Sequence, residues 1–251
     1  MNSFIFENSP LQEVVIGAQF LPILNSSSII SEFYQAKKDK FPRFVEDTPI
    51  PHVIEKFDSQ NSVTFQNGYY SRKHFIEKSE HKLIQIQTDK ILFNWRTLDN
   101  RNDYPFFENI KKEFLVHLND LNNIYSVLNN IDQLEITYLN HILINEFEDN
   151  NFNLNNIFNN FFPPVIINNF NCNFIIPYKI INGNLTIKLQ DGLNRATQNK
   201  VVVLELTIRG NKTENQSLDE WFNESHSLLL EFFLSSITES AKKIWKLKQI
   251  N

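Results

Sequence analysis

QLEITYLNHILI, residues 133–144, decides the architecture. The run is rich in aliphatic and β-branched residues and reads as a strand. It nevertheless sets Glu135, Asn140 and His141 among apolar neighbours. A related run, PLQEVVIGAQF, occupies residues 10–20. There Val14, Ile16, Ala18 and Phe20 recur at the two-residue period of a strand with one buried face. Glu13-Val14 in the first run matches Glu135-Ile136 in the second, so one strand is written twice.

What surrounds each copy repeats as well. After the first, the serines at 26–28 start a helix to about Lys40, with Ile29, Ile30, Phe33 and Tyr34 inward. Pro42, Pro49 and Pro51 interrupt regular structure. Strands are expected at 53–58, 61–66 and 69–78, then a hairpin over LIQIQTDKILFNWR that turns near Asp89-Lys90. Asp103 is the expected N-cap of the next helix, with Pro105 in its first turn. That helix carries an apolar stripe of Phe107, Ile110, Phe114, Leu118, Leu121 and Tyr125 at three- and four-residue steps.

After the second copy, a short helix or turn is expected at 153–161, ended by Pro163-Pro164. Strands follow near 170–178, 184–190 and 201–209. Ser217 and Glu220 form a capping box. A single long helix is expected from Leu218 to about Leu247, with Trp221, Phe222, Leu229, Phe233, Ile237, Ala241 and Trp245 on its apolar face. The broad stripe points to a core helix rather than a coiled-coil seam. Lys242, Lys243, Lys246 and Lys248 near its end suit the helix dipole.

Each half therefore reads strand, helix, antiparallel strands, helix. The final strand of each ends in arginine, ILFNWR at Arg96 and LELTIR at Arg209. This is a tandem duplication with repeats at 1–128 and 129–251. The expected class is α+β, with helices packed on one face of antiparallel sheet. The order is similar in topology to the tandem repeat of the TATA-binding-protein fold, where the opening strands meet at a pseudo-dyad. A likeness of fold carries no function.

Composition narrows the class. The chain has 251 residues, 41% of them hydrophobic, enough for a sizeable core. A formal net charge of −5 argues against a dedicated nucleic-acid coat, though it leaves room for a local basic patch. Cys172 is the only cysteine, so no internal disulfide forms and a reducing cytoplasm is the expected location. The start, MNSFIFENSP, has neither the basic region nor the apolar core of a signal peptide. No apolar run reaches the roughly 20 residues of a membrane span.

Several short motifs together resemble a sporadically distributed bacterial family of unknown function, about as long as this chain. They are Pro10-Leu11-Gln12-Glu13-Val14-Val15, Asn94-Trp95-Arg96, Tyr104-Pro105 and Leu134-Glu135-Ile136-Thr137-Tyr138-Leu139-Asn140. A C-terminal set of Trp221, His226, Phe232, Thr238 and Trp245 completes them. Ser9-Pro10 stands where a double proline is usual, and Phe106 where a basic residue is common. The resemblance implies no assigned activity. Its patchy distribution implies horizontally moved cargo such as phage-defence systems, and hence a protein partner encoded nearby.

Glu13, Arg96, Glu135 and Arg209 are the first candidates, as two pseudo-symmetric sites that each join a carboxylate to a guanidinium. The same bidentate geometry would serve to fix strand register. Asn140 and His141 are added as ligand contacts, and a sensor or hydrolase would use Glu135, His141 and Arg209. His117 and His226 lie on apolar helix faces, where a hydrogen-bonded core histidine is the commoner case. Tyr69, Tyr70, Arg72, Lys73 and His74 mix aromatic and basic groups, which could stack on bases and meet phosphates.

No phosphate loop, nucleophile elbow or Cys-x-x-Cys is present, and His74 and His81, with Glu77 and Glu80 nearby, would have to converge with a third or fourth ligand to hold a metal, so none is expected. The expectation is a non-catalytic interaction or regulatory subunit without metal or cofactor, with a homodimer among the arrangements open to it.

Overall fold

The computed structural model describes residues 3–23, 26–56, 62–66, 71–98, 103–147, 153–159, 170–194 and 198–250. The first half holds strands β1 Ser3–Phe6 and β2 Leu11–Phe20, helix α1 Ser26–Lys37, and strands β3 Arg43–Asp47, β4 His52–Lys56 and β5 Ser62–Gln66. Strands β6 Arg72–Ile76, β7 Lys82–Gln87 and β8 Lys90–Arg96 follow, then helix α2 Phe107–Ile124. The second half holds strands β9 Ile131–Leu143, β10 Asn171–Tyr178, β11 Gly183–Leu193 and β12 Lys200–Gly210. Helices α3 Leu218–Ser236 and α4 Glu239–Ile244 and strand β13 Leu247–Ile250 complete it.

The class is α+β, as expected. Nine strands form one antiparallel sheet in the order β10-β11-β12-β9-β2-β8-β7-β6-β3. The two opening strands, β2 and β9, pair at its centre. Val15 lies opposite Thr137, and Gly17 opposite Glu135. With Glu13 matched to Glu135, Val15 is the counterpart of Thr137. A residue thus faces its own counterpart, which places a pseudo-twofold axis between β2 and β9. Outward from that axis the orders are β2-β8-β7-β6 and β9-β12-β11-β10. Glu13 is the register partner of Arg96, and Glu135 of Arg209.

Alternation sends one set of side chains from every strand towards the helices. Val14, Ile16, Ala18 and Phe20 of β2 and Leu134, Ile136 and Ile142 of β9 are buried there. Phe33 of α1 meets Phe75, His117 of α2 meets Phe93, and His226 of α3 meets Tyr138, so all three helices cover the same face. The expected stripe of α2 is buried at Phe107, Ile110, Phe114, Leu118 and Leu121. The Trp221 indole N–H donates to the carbonyl of Ile181 at 3.0 Å.

The structure corrects two expectations, on the start of α2 and on the C-terminal helix, and adds a strand near the start of the chain. Asp103 is not the cap of α2. It pairs with His81 at 3.2 Å, and the chain continues past Pro105 to Phe106, whose φ of 65° turns it into the helix. The short helix or turn expected at 153–161 is present as a 3-10 turn, Leu154–Asn156, which Asn153 caps from its side chain.

The long C-terminal helix is broken. Ile237 is extended and bridges to Phe158, while Asn159 donates to the carbonyls of Ser235 and Ile237. Thr238 then caps α4 by accepting from the Ala241 N–H. Finally, the start of the chain forms a strand: β1 pairs with β13, and Glu7 binds Lys248 beyond the strand end. No helix among the described residues is long and apolar enough to cross a membrane.

Candidate functional site

The face of the sheet away from the helices is polar. Residues of odd number in β2, β9 and β12 point there, and even-numbered ones in β8 and β11. Near the axis, the Thr137 and Thr207 hydroxyls are 2.8 Å apart. On one side Glu13 accepts a hydrogen bond of 2.6 Å from Asn94, which also accepts from Gln85 at 2.7 Å. On the other, Arg209 donates from Nε to Glu135 at 2.9 Å and from Nη1 to Glu55 at 3.3 Å.

The two sites expected to mirror each other therefore differ. Arg96 does not bind Glu13; its Nε donates to the Glu80 carbonyl at 2.9 Å. The cause lies one pair along the strand. Asn94 is long enough to reach Glu13 diagonally. Its counterpart Thr207 is short and bonds Thr137 instead, leaving Glu135 to the arginine. Burial raises the Glu13 pKa, against the opposing pull of Asn94 and then Arg96. Burial works against the charge on Arg209, but Glu135 and then Glu55 more than reverse it, and its pKa is raised.

Glu55 belongs to the β4–β5 hairpin, a separate two-stranded sheet laid on this polar face. Gln19 clasps the backbone of Val53, donating to its carbonyl at 2.7 Å and accepting from its N–H at 2.9 Å. His52 Nδ1 sits 2.6 Å from Asp89, and its Nε2 is 3.3 Å from Asp132. Lys90 donates to the Pro51 carbonyl at 2.9 Å, and Asn184 donates to Glu55 at 3.1 Å. Burial lowers the Lys90 pKa, with Glu135 and Asp89 acting in the other direction. The hairpin thus departs from the first half and fastens to β11 and β12 of the second.

None of Gln19, His52, Glu55, Asp89, Lys90 or Asn184 was a candidate from sequence. Their signal was the alternation of polar residues in strands otherwise apolar, as at Gln85 and Gln87 of KLIQIQ.

Of the remaining candidates, Asn140 faces the helices, is buried, and donates to the Leu204 carbonyl at 3.3 Å. His141 shares the polar face with Glu135. The two are six residue steps apart along the strand, roughly 20 Å, so His141 does not converge with Glu135 and Arg209. Its backbone N–H donates to the Pro10 carbonyl.

Tyr69 and Tyr70 lie outside the described residues. Arg72 binds Asp47 at 2.8 Å and Gln85 at 2.7 Å, and Lys73 binds Glu46 at 2.5 Å. His74 shares the polar face with Arg72; burial, and then Arg72, lower its pKa. Lys73 points the other way, towards the helices.

His117 and His226 are core histidines. His117 packs on Phe41 and Phe93. His226 stacks on Phe107 at 4.2 Å and bonds the Tyr138 hydroxyl through Nδ1 at 2.7 Å. Burial, followed by the charge of Lys111, lowers its pKa to about 4. Among the described residues, no three His, Cys, Asp or Glu side chains are placed to hold a metal ion. Comparisons with protein-family models, curated proteins and solved structures returned no match.

Proposed function

We propose that this chain is a non-catalytic interaction subunit of a multi-protein bacterial system, and that it recruits a protein partner by accepting an extended segment beside β10. The observation that carries this reading is the contrast between the two edges of the sheet. At one edge, β3 bears Arg43, Glu46 and Asp47, engaged with Glu80, Lys73 and Arg72. Charges of this kind keep an edge from pairing with foreign strands. At the other edge, β10 reads NCNFIIPY, with no charge in eight residues. Among the described residues its only strand neighbour is β11. Ile175 is 45% exposed, and Ile180 just beyond is 60% exposed.

An edge of this kind suits strand addition, in which backbone hydrogen bonds supply affinity and alternate side chains supply selectivity. The fitting partner is an uncharged, apolar segment. On the polar face beside β10, Lys188 is already matched by Glu205 at 2.7 Å, so a charged segment would find no counter-charge there. The non-catalytic part of the reading is supported by Glu135, Arg209 and Glu55, which are committed to one another. The wider setting, a phage-defence or other conflict system, follows from the motif resemblance alone.

The test is co-expression with the products of neighbouring genes. A complex lost on Ile175→Lys, with those β10 amides that point away from β11 protected from exchange only when the partner is bound, is the expected result. A complex indifferent to that substitution would refute the reading. So would turnover by the purified chain that dies with Glu135→Gln. A concentration-dependent dimer abolished by Ile175→Lys would put a second copy in the partner's place and overturn the choice of occupant.

A further inference from the structure

Lys73 occupies a position where strand alternation calls for an apolar side chain. Its register partner on β7 is Ile86, and Phe75, two residues on, is fully buried on the same face. Beside it, between α1 and strands β3 and β6, lies a cavity of about 580 Å³. That volume is in the range of small-molecule sites. One end is polar: Ser26 and Ser31 of α1 line it together with Lys73. Ser27 and Ser71 line the cavity as well, and the apolar and aromatic part of the wall is formed by Ile30, Tyr34 and Phe44.

Two independent features mark the polar end. The first turn of α1 borders the cavity, and the leading N–H groups of a helix lack intrahelical partners and favour negative charge. Ser26, which opens the helix and lines the cavity, is only 8% exposed, and its hydroxyl has no hydrogen-bond partner among the described residues. Lys73 supplies a cation, its Nζ 5.8 Å from the centre of the Phe44 ring. In this structure that cation is held by the exposed carboxylate of Glu46 and by the Ser71 hydroxyl at 2.8 Å.

We propose that this cavity binds a small molecule with an anionic head, a carboxylate or a phosphate, on an apolar body of about the size of an aromatic ring. The head meets the Ser26 hydroxyl, the first-turn N–H groups and Lys73. The body lies against Ile30, Tyr34 and Phe44. Glu46 releases Lys73 as the ligand enters, so the carboxylate acts as a built-in competitor. This site is remote from β10 and stands independently of strand recruitment there.

The experiment is amide-shift NMR on the full chain, titrated separately with phenyl phosphate, benzoate, inorganic phosphate and neutral phenol. The expected result is binding of phenyl phosphate or benzoate with a Kd of about 1 mM or tighter, stronger than either inorganic phosphate or phenol. Preference between the first two identifies the head as phosphate or carboxylate. Lys73→Met keeps the apolar stem and should weaken that binding roughly tenfold. Glu46→Gln removes the competitor and should tighten it. Ser31→Phe, at an exposed helix position, should fill the cavity and abolish it. Absence of binding by both anions overturns the proposal. So does equal binding of phenol, or affinity unmoved by Lys73→Met and Glu46→Gln in folded variants.

Discussion

Arg209 and Glu135 face each other across β12 and β9 and share a hydrogen bond of 2.9 Å, whereas their counterparts Arg96 and Glu13, equally opposed across β8 and β2, do not bond. Arg209 also holds Glu55, whose side chain is 2% exposed. Arg209→Met should therefore strand two carboxylates and cost about 3 kcal/mol, the usual consequence of removing one member of a buried pair. Arg96→Met breaks contacts of a more exposed kind and should cost under about 1 kcal/mol. Urea denaturation of the two variants measures the difference.

Gly183 and Gly210 are register partners where β11 and β12 meet the turn at Ile181. A Cβ on Gly210 would stand 2.6 Å from the Ile181 carbonyl oxygen and 2.9 Å from that of Asn182. Both are backbone atoms, which cannot swing aside as a side chain would. Gly210→Ala should destabilise by about 1–3 kcal/mol through overpacking, read as a lowered denaturation midpoint with an unchanged slope.

His226 is held neutral, its pKa lowered to about 4 by burial and then by Lys111. In the unfolded chain a histidine titrates at about 6.5. Between these values the unfolded state binds the extra proton, so this contribution is complete above the unfolded pKa and is lost as pH falls towards 4. The span corresponds to at most about 3 kcal/mol. Urea midpoints between pH 7 and pH 4 should fall more steeply for the parent than for His226→Asn, since many carboxylates titrate in both but the imidazole in only one.

Thr238 ends the break between α3 and α4 by accepting from the Ala241 N–H, and its own hydroxyl donates to the Asn156 carbonyl at 2.8 Å. Thr238→Ala removes both bonds and should cost about 1 kcal/mol or somewhat more. Thr238→Ser keeps the cap and should recover most of that loss in thermal melts.

The repeat was legible because Glu13 and Glu135 lie at matching places in strands of matching period; that the two strands pair directly in one sheet, with Val15 opposite Thr137, was not, because the match alone leaves open whether they meet and in which register. The broken helix was not, because Phe233, Ile237, Ala241 and Ile244 keep four- and three-residue steps straight through the break. Only Thr238, a good N-cap, hinted at a restart, and the residues that enforce it, Phe158 and Asn159, lie far off in sequence. The mirror asymmetry of the two Glu–Arg pairs was hidden in a single difference, Asn94 against Thr207. The β4–β5 hairpin was read as two strands, but nothing local says that Glu55 reaches Arg209, because that contact spans 154 residues.

The seam between β2 and β9 has a bearing on how the chain is made. On a ribosome delivering ~5–20 residues per second, β9 follows β2 by roughly 6 to 25 s. Through that interval the first half can fold only with the inner edge of β2 uncovered, a row of backbone donors and acceptors flanked by valine and isoleucine. Co-translational chaperone engagement should accordingly be strongest on nascent chains that end before residue 131, and should fade once β9 has cleared the exit tunnel.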